Sequence, residues 1–213
     1  MKRFLLGTAV VFGALYFGQG ASFAAPLVAD GVSYSLTQDA LMGLPLTDQF
    51  TLTITGINKT GVGGDTEGGR TGVNALAFNP PSHFASATMI TPPSGYVFVS
   101  GGLNSGGCDG SGNFFCFDNT AIPPIPTTPY AANSSLSFVF DVTLASGNFT
   151  GYAPDFKIDW VGSKNNYDLV SKAIPITIGP TINPLATDVP EPVSMSILGV
   201  GLASLGYLRR RRA

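Results

Sequence analysis

Apolar and polar residues alternate strictly through much of the interior of this 213-residue chain. Phe138, Phe140, Val142 and Leu144 alternate with Ser137, Val139, Asp141 and Thr143. Phe156, Ile158 and Trp160 alternate with Asp155, Lys157 and Asp159, and Ile174, Ile176 and Ile178 with Ala173, Pro175 and Thr177. A period of two places successive side chains on opposite faces, so each run predicts a half-buried strand. Further strands are predicted over 31–37 with Val32, Tyr34 and Leu36 inward, over 50–57 with Leu52 and Ile54 inward, and over 73–78, 84–91 and 95–100. Pro175 has no donor, so its strand should be an edge. A helical turn near 38–43 is compatible with the pattern. The intervening segments are rich in Gly, Pro, Asn and Ser, and no long apolar period of 3.6 is present. Many short strands at this spacing predict an all-β domain, an antiparallel β-sandwich. Two segments, Asn58 to Thr71 and Ser100 to Tyr130, read as long loops of the kind that is functional or mobile. Ile122 to Pro129 reads as a stiff extended connector.

Both ends depart from this pattern. Lys2 and Arg3 precede an apolar run from Phe4 to Phe17, and Ser22, Phe23 and Ala24 form a small-x-small site before Ala25. This is the layout of a secretory signal peptide, cleaved by signal peptidase. Cleavage after Ala24 is expected, because cleavage after Ala25 would set Pro26 beside the scissile bond. At the other end, Pro190, Glu191 and Pro192 precede an uncharged run from Val193 to Leu208 and then Arg209, Arg210, Arg211 and Arg212. As a helix the run reaches only ~24 Å, short of a hydrocarbon core of ~30 Å. The arginines should stay cytoplasmic, which leaves everything before Val193 on the outer side of the inner membrane. The prolines hold the segment outside the membrane extended, open to a processing enzyme.

Pro-Glu-Pro, a short apolar helix and a terminal arginine cluster together resemble the PEP-CTERM sorting signal. The resemblance implies a Gram-negative bacterium that makes exopolysaccharide, and an exosortase, a membrane-embedded cysteine transpeptidase-like enzyme, that recognises Pro190, Glu191 and Pro192 and removes the helix. It covers the last twenty-five or so residues and concerns delivery, not the activity of the cargo. The expected organisation is a signal peptide over 1–24, a β-sandwich ectodomain over 25–180, a linker over 181–188 and a sorting signal over 189–213, with its helix at 193–208 and basic tail at 209–212.

The division of the chain changes the meaning of its charge. The formal net charge is −2, but six of the basic residues lie in the terminal segments. Between them, Lys59, Arg70, Lys157, Lys164 and Lys172 stand against twelve acids, a balance of −7. An acidic domain with no basic stripe argues against nucleic acid and against docking on anionic lipid. It also disfavours acidic polysaccharide unless cations bridge the two.

Few residues offer chemistry. Cys108 and Cys116 are the only cysteines, and an even count in an exported protein favours a disulfide. A metal or redox pair would need CxxC spacing or further ligands. The stretch from Gly101 to Cys116 also resembles a cysteine-bracketed Gly/Ser loop of a subset of PEP-CTERM proteins, a resemblance that implies no activity. Asp109, Ser111 and Asn113 begin like a calcium loop, but Phe114 stands where glycine is needed and Thr120 where the bidentate glutamate belongs. Asp65 and Glu67, in the glycine loop from Gly63 to Gly69, supply only two carboxylates, so both stretches read as flexible polar loops with no metal. His83, the single histidine, sits in a turn without a nucleophile motif. Asp155 and Asp159 could mimic a glycosidase pair, but alternation sends both to the solvent face opposite Trp160. Trp160 shares the core face, whereas Tyr130, Tyr152 and Tyr167 in loops are freer to stack on sugar rings. Thr51, Thr53 and Thr55 form one same-face row, ordinary for a strand.

The expectation is therefore an exported, exosortase-processed, non-catalytic protein of the cell surface or exopolysaccharide matrix, structural or adhesive, with no cofactor. Its partners would be signal peptidase, exosortase and polysaccharide, with the membrane engaged through the C-terminal helix before processing. A carbohydrate-binding module is the alternative, marked by an exposed coplanar aromatic row. A secreted glycoside hydrolase comes third, marked by a cleft holding His83 or two acids.

Overall fold

The alternating runs form strands in a computed structural model that describes residues 24–91, 95–104, 107–120, 128–162 and 168–182. The expected signal segment, the expected sorting motif, the apolar run and the arginine cluster lie outside the described residues, as do Tyr167 and most of the proline-rich connector. The strands are β1 (Leu27–Ala29), β2 (Val32–Ala40), β3 (Thr47–Ile57), β4 (Gly72–Phe78), β5 (Phe84–Thr91), β6 (Tyr96–Asn104), β7 (Gly107–Asn119), β8 (Ser134–Leu144), β9 (Asp155–Val161), β10 (Asp168–Ala173) and β11 (Ile176–Ile178). The described chain is all-β. One sheet runs in the order β1-β2-β3-β8-β5 with β11 also on β2, and the other in the order β10-β9-β4-β7-β6. Pairing is antiparallel except for β11, which lies parallel to β2.

One buried cluster draws on both sheets. From the first come Tyr34, Leu36, Phe50, Leu52, Ile54, Phe138, Phe140 and Val142; from the second come Val73, Leu76, Phe78, Phe115, Phe117, Phe156, Ile158 and Trp160. Phe140 of the first sheet is the meeting point. Its ring lies 5.1 Å from Phe78 and 5.3 Å from Phe117 in the second sheet, and 5.7 Å from Phe50 in its own. Rings at such separations add about 0.5–1.5 kcal/mol per pair beyond the area they bury.

Three expectations are corrected. β2 continues as a strand through Ala40, without a helical turn before it ends. The run around Pro175 is not one strand: β10 ends at Ala173 in the second sheet, and β11 begins at Ile176 in the first. Pro175 cannot continue a ladder, and the chain changes sheets there. Ile174 is buried, but Ile178 is exposed.

The third correction concerns Ser100 to Tyr130, which is not a long loop. β6 extends to Asn104 and pairs with β7. Glycine hid the strands from a propensity reading, yet glycine is what their pairing requires. A Cβ on Gly102 would come within 2.3 Å of the Ser111 carbonyl oxygen, and one on Gly110 within 2.9 Å of that of Gly102. The register jumps from Ser100↔Phe115 to Gly102↔Gly110, two steps on β6 against five on β7. The surplus residues bulge outward and bend β7 back on itself. That bend brings Cys108 and Cys116 together, their Cα atoms 5.8 Å apart across eight positions that would span ~27 Å if extended. The disulfide is formed and closes the bulge. The folded-back tip covers the outer face of the second sheet, where Leu103 and the cysteines bury Ala75 and Ala77.

Candidate functional site

The cover over the second sheet changes the environment of Asp159. Its position on β9 points it away from Ile158 and Trp160, toward a face expected to be wet. Instead it is only 4% exposed. Asn74, displaced by a register shift between Val73 and Ala75, donates from Nδ2 to Asp159 Oδ2 at 2.8 Å. Asp118 lies on β7 across Ala75, which pairs with both acids. Burial, foremost, and the charge of Asp118 raise the Asp159 carboxyl against the lowering effect of the Asn74 hydrogen bond, to about 6. Asp155, by contrast, is exposed at the start of β9. Four positions along a strand separate the two acids by ~13 Å, beyond the ~6.5–9.5 Å that a water-activating carboxylate pair spans. Lys157, between them, caps the Phe114 ring with Nζ 4.3 Å from its centroid.

A consequence for stability follows. Asp159 in the folded state holds a proton up to about pH 6, whereas the unfolded chain releases it near 3.8. Its contribution is therefore fully present below the unfolded value and is lost as pH rises through the folded one, at about 1.4 kcal/mol per unit. Acidification from pH 7 to 4 is expected to add up to about 3 kcal/mol from this group. Asp159→Asn should remove most of that slope. Urea midpoints of both proteins across this range check it, and parallel curves would refute it.

The glycine loop from Asn58 to Thr71 is the second candidate, and the structure overturns its reading as flexible. Arg70, the only arginine between the terminal segments, is fully buried. Its guanidinium lies 4.7 Å over the Trp160 ring, with Nε donating to Asp65 Oδ2 at 2.9 Å and the Asp65 side chain equally buried. Asp65 also accepts from the backbone N–H groups of Asn58, Glu67 and Gly68. Burial works against its charge, but the bonds from Arg70, Gly68 and Asn58 outweigh it and hold the carboxyl below the usual aspartate range. Both oxygens are thus taken up by the chain's own donors. Asn58, at φ 53°, closes the loop by donating to the Arg70 and Tyr130 carbonyls and accepting from the Arg70 N–H. Gly64 fits against Gly31 so closely that a Cβ on Gly31 would meet the Gly64 carbonyl oxygen at 1.8 Å. The sequence signal for this network is a lone arginine five residues after an aspartate in a glycine loop. Alone it does not name the partner.

The remaining candidates do not converge. His83 is exposed on the turn before β5, at φ 59°, and its carbonyl accepts from Ala145 N–H at 2.7 Å. Asp109, Ser111 and Asn113 are exposed along the bulge of β7. Among the described residues, no three His, Cys, Asp or Glu side chains group as metal ligands. Trp160 is core, 2% exposed, and donates from Nε1 to Tyr34 Oη at 3.1 Å. Tyr152, expected to be free, is packed against Phe50 and Phe149 and donates to the Asn79 carbonyl at 2.7 Å. Burial drives its hydroxyl well above the usual tyrosine range. Tyr130 is half-buried against the core. Phe98, at 39%, is the one aromatic among the exposed large hydrophobics of the described residues. Two shallow depressions flank Tyr152, one of about 240 Å³ beside Pro80 and Ser82 and one of about 440 Å³ beside Gln38 and Asp48. Neither includes His83, Asp155 or Asp159. No protein-family model matches the chain, and no curated protein matches it.

Proposed function

We propose that this chain is the precursor of an exported, non-catalytic protein of the cell surface or exopolysaccharide matrix, structural or adhesive in role. Residues 25–180 would be a β-sandwich ectodomain, delivered by a signal peptide over 1–24 and a PEP-CTERM sorting signal over 189–213. The observation that carries the reading is the three-part tail: Pro190, Glu191 and Pro192, the apolar run from Val193 to Leu208, and Arg209 to Arg212. The Cys108–Cys116 disulfide suits an oxidising compartment outside the cytoplasm. The separation of Asp155 from Asp159 and the exposed, isolated His83 favour binding over turnover.

The test is the intact mass of the mature protein recovered from its native host. It is expected to lack the first twenty-four residues and everything beyond Pro190 to Pro192. Recovery of stable protein that still carries Arg209 to Arg212 would reduce the tail to an ordinary single-pass anchor and overturn exosortase processing.

A further inference from the structure

The threonine row of β3 is not alone. In register it is flanked on both sides, giving the rows Ser33, Thr55, Ser135; Ser35, Thr53, Ser137; and Thr37, Thr51, Val139 across β2, β3 and β8. Their neighbours along each strand, among them Tyr34, Leu36, Leu52, Ile54 and Phe138, are buried, so these nine side chains face away from the core. Each is partly or fully exposed. No register shift interrupts the rows, so eight hydroxyls and one valine stand on a straight grid, about 4.8 Å across strands and ~6.8 Å along them. Thr177 of β11, opposite Thr37, extends the grid by one strand.

Within these strands the first charges lie one row beyond the grid. The next row holds Asp39, Gln49 and Asp141, and Gln49 donates to Asp141 at 3.1 Å. None of the grid positions is Lys, Arg, Glu or an aromatic residue. An exposed sheet of this size ordinarily uses such charges against edge and face association.

We infer that this outer face docks onto an uncharged, hydroxyl-rich polysaccharide. This deepens the matrix reading and rests on it. Each Ser or Thr hydroxyl both donates and accepts, which matches the sugar hydroxyl group for group. The grid offers a neutral polymer no uncompensated charge to bury, whereas a segment 25–188 with a balance of −7 repels an anionic one. Each exchanged hydrogen bond is worth only about 1 kcal/mol, so affinity must come from several rows engaged at once. The ligand is therefore a chain rather than a single sugar. A second copy fits less well, because face-to-face sheets are held by interdigitated apolar side chains, and here the grid offers Val139 and, beside Ser33 at its edge, Val28, too far apart to interdigitate as a core.

Affinity electrophoresis of the mature protein from its host, in gels containing galactomannan, a neutral β-glucan or alginate, tests this. Retardation by a neutral polymer and not by alginate is expected. Thr53→Lys, at the centre of the grid, should weaken that retardation about tenfold, since it sets an unpaired charge among the contacts. Its melting temperature should be unchanged, because the position is on the surface. Absence of retardation by either neutral polymer, retardation by alginate, or full retardation of a folded Thr53→Lys protein would overturn the inference. So would inhibition of ice recrystallisation without polysaccharide binding, which would assign the grid to ordered water. Correctly processed protein that is not retarded removes only this face. Unprocessed protein that is retarded removes only the sorting reading.

Discussion

Arg70→Ala is expected to destabilise the fold by about 3–5 kcal/mol, roughly a fifth or more of what a single domain possesses. The side chain is fully buried, and so is its partner Asp65. Removing the guanidinium leaves a carboxylate enclosed with only the backbone N–H groups of Asn58, Glu67 and Gly68. It also strips the cation from the Trp160 face and opens a space beside it. Arg70→Lys should lose less, because the charge remains while the paired donation to Asp65 and the planar stacking do not. Trp160 is the only tryptophan, so its fluorescence during urea unfolding reports on this corner directly. A loss under about 1 kcal/mol, the range of an exposed pair, would contradict the burial described.

Phe140→Ala is the second large effect, at about 3–5 kcal/mol. Phe140 touches rings on both sheets, so truncation leaves a cavity that neither sheet can fill by shifting alone. The informative measurement is a double-mutant cycle with Phe78→Ala. Residues in contact should couple by at least about 0.5 kcal/mol, although Phe78 and Phe140 are sixty-two positions apart. Strict additivity would mean that the apolar faces of the two sheets do not meet there.

The strands legible in the sequence were those whose apolar faces are large and regular. β2, β3, β8 and β9 each bury aliphatic or aromatic residues at every second position, and a period of two needs no knowledge of the partner strand. β6 was legible only as far as Ser100 and β7 not at all, because glycine has poor strand propensity. It is placed there by close backbone approach, which depends on what lies opposite. The loop from Asn58 to Thr71 was misread for a related reason. Its order comes from Asp65, Arg70, Asn58 and the Tyr130 carbonyl, whose convergence leaves no period along the chain.

The sequence by itself determined the alternating strands and the disulfide partners, because each is written in the order or the number of its own residues. Only the tertiary structure decided that Asp159 lies under a folded-back hairpin, that Arg70 sits buried over Trp160, and that Thr51, Thr53 and Thr55 are the middle of a three-strand hydroxyl grid. The physical reason is register. A strand's own sequence fixes which side chains share a face, but the residues beside and above that face arrive from strands dozens of positions away, matched by packing and backbone hydrogen bonds that no local pattern encodes.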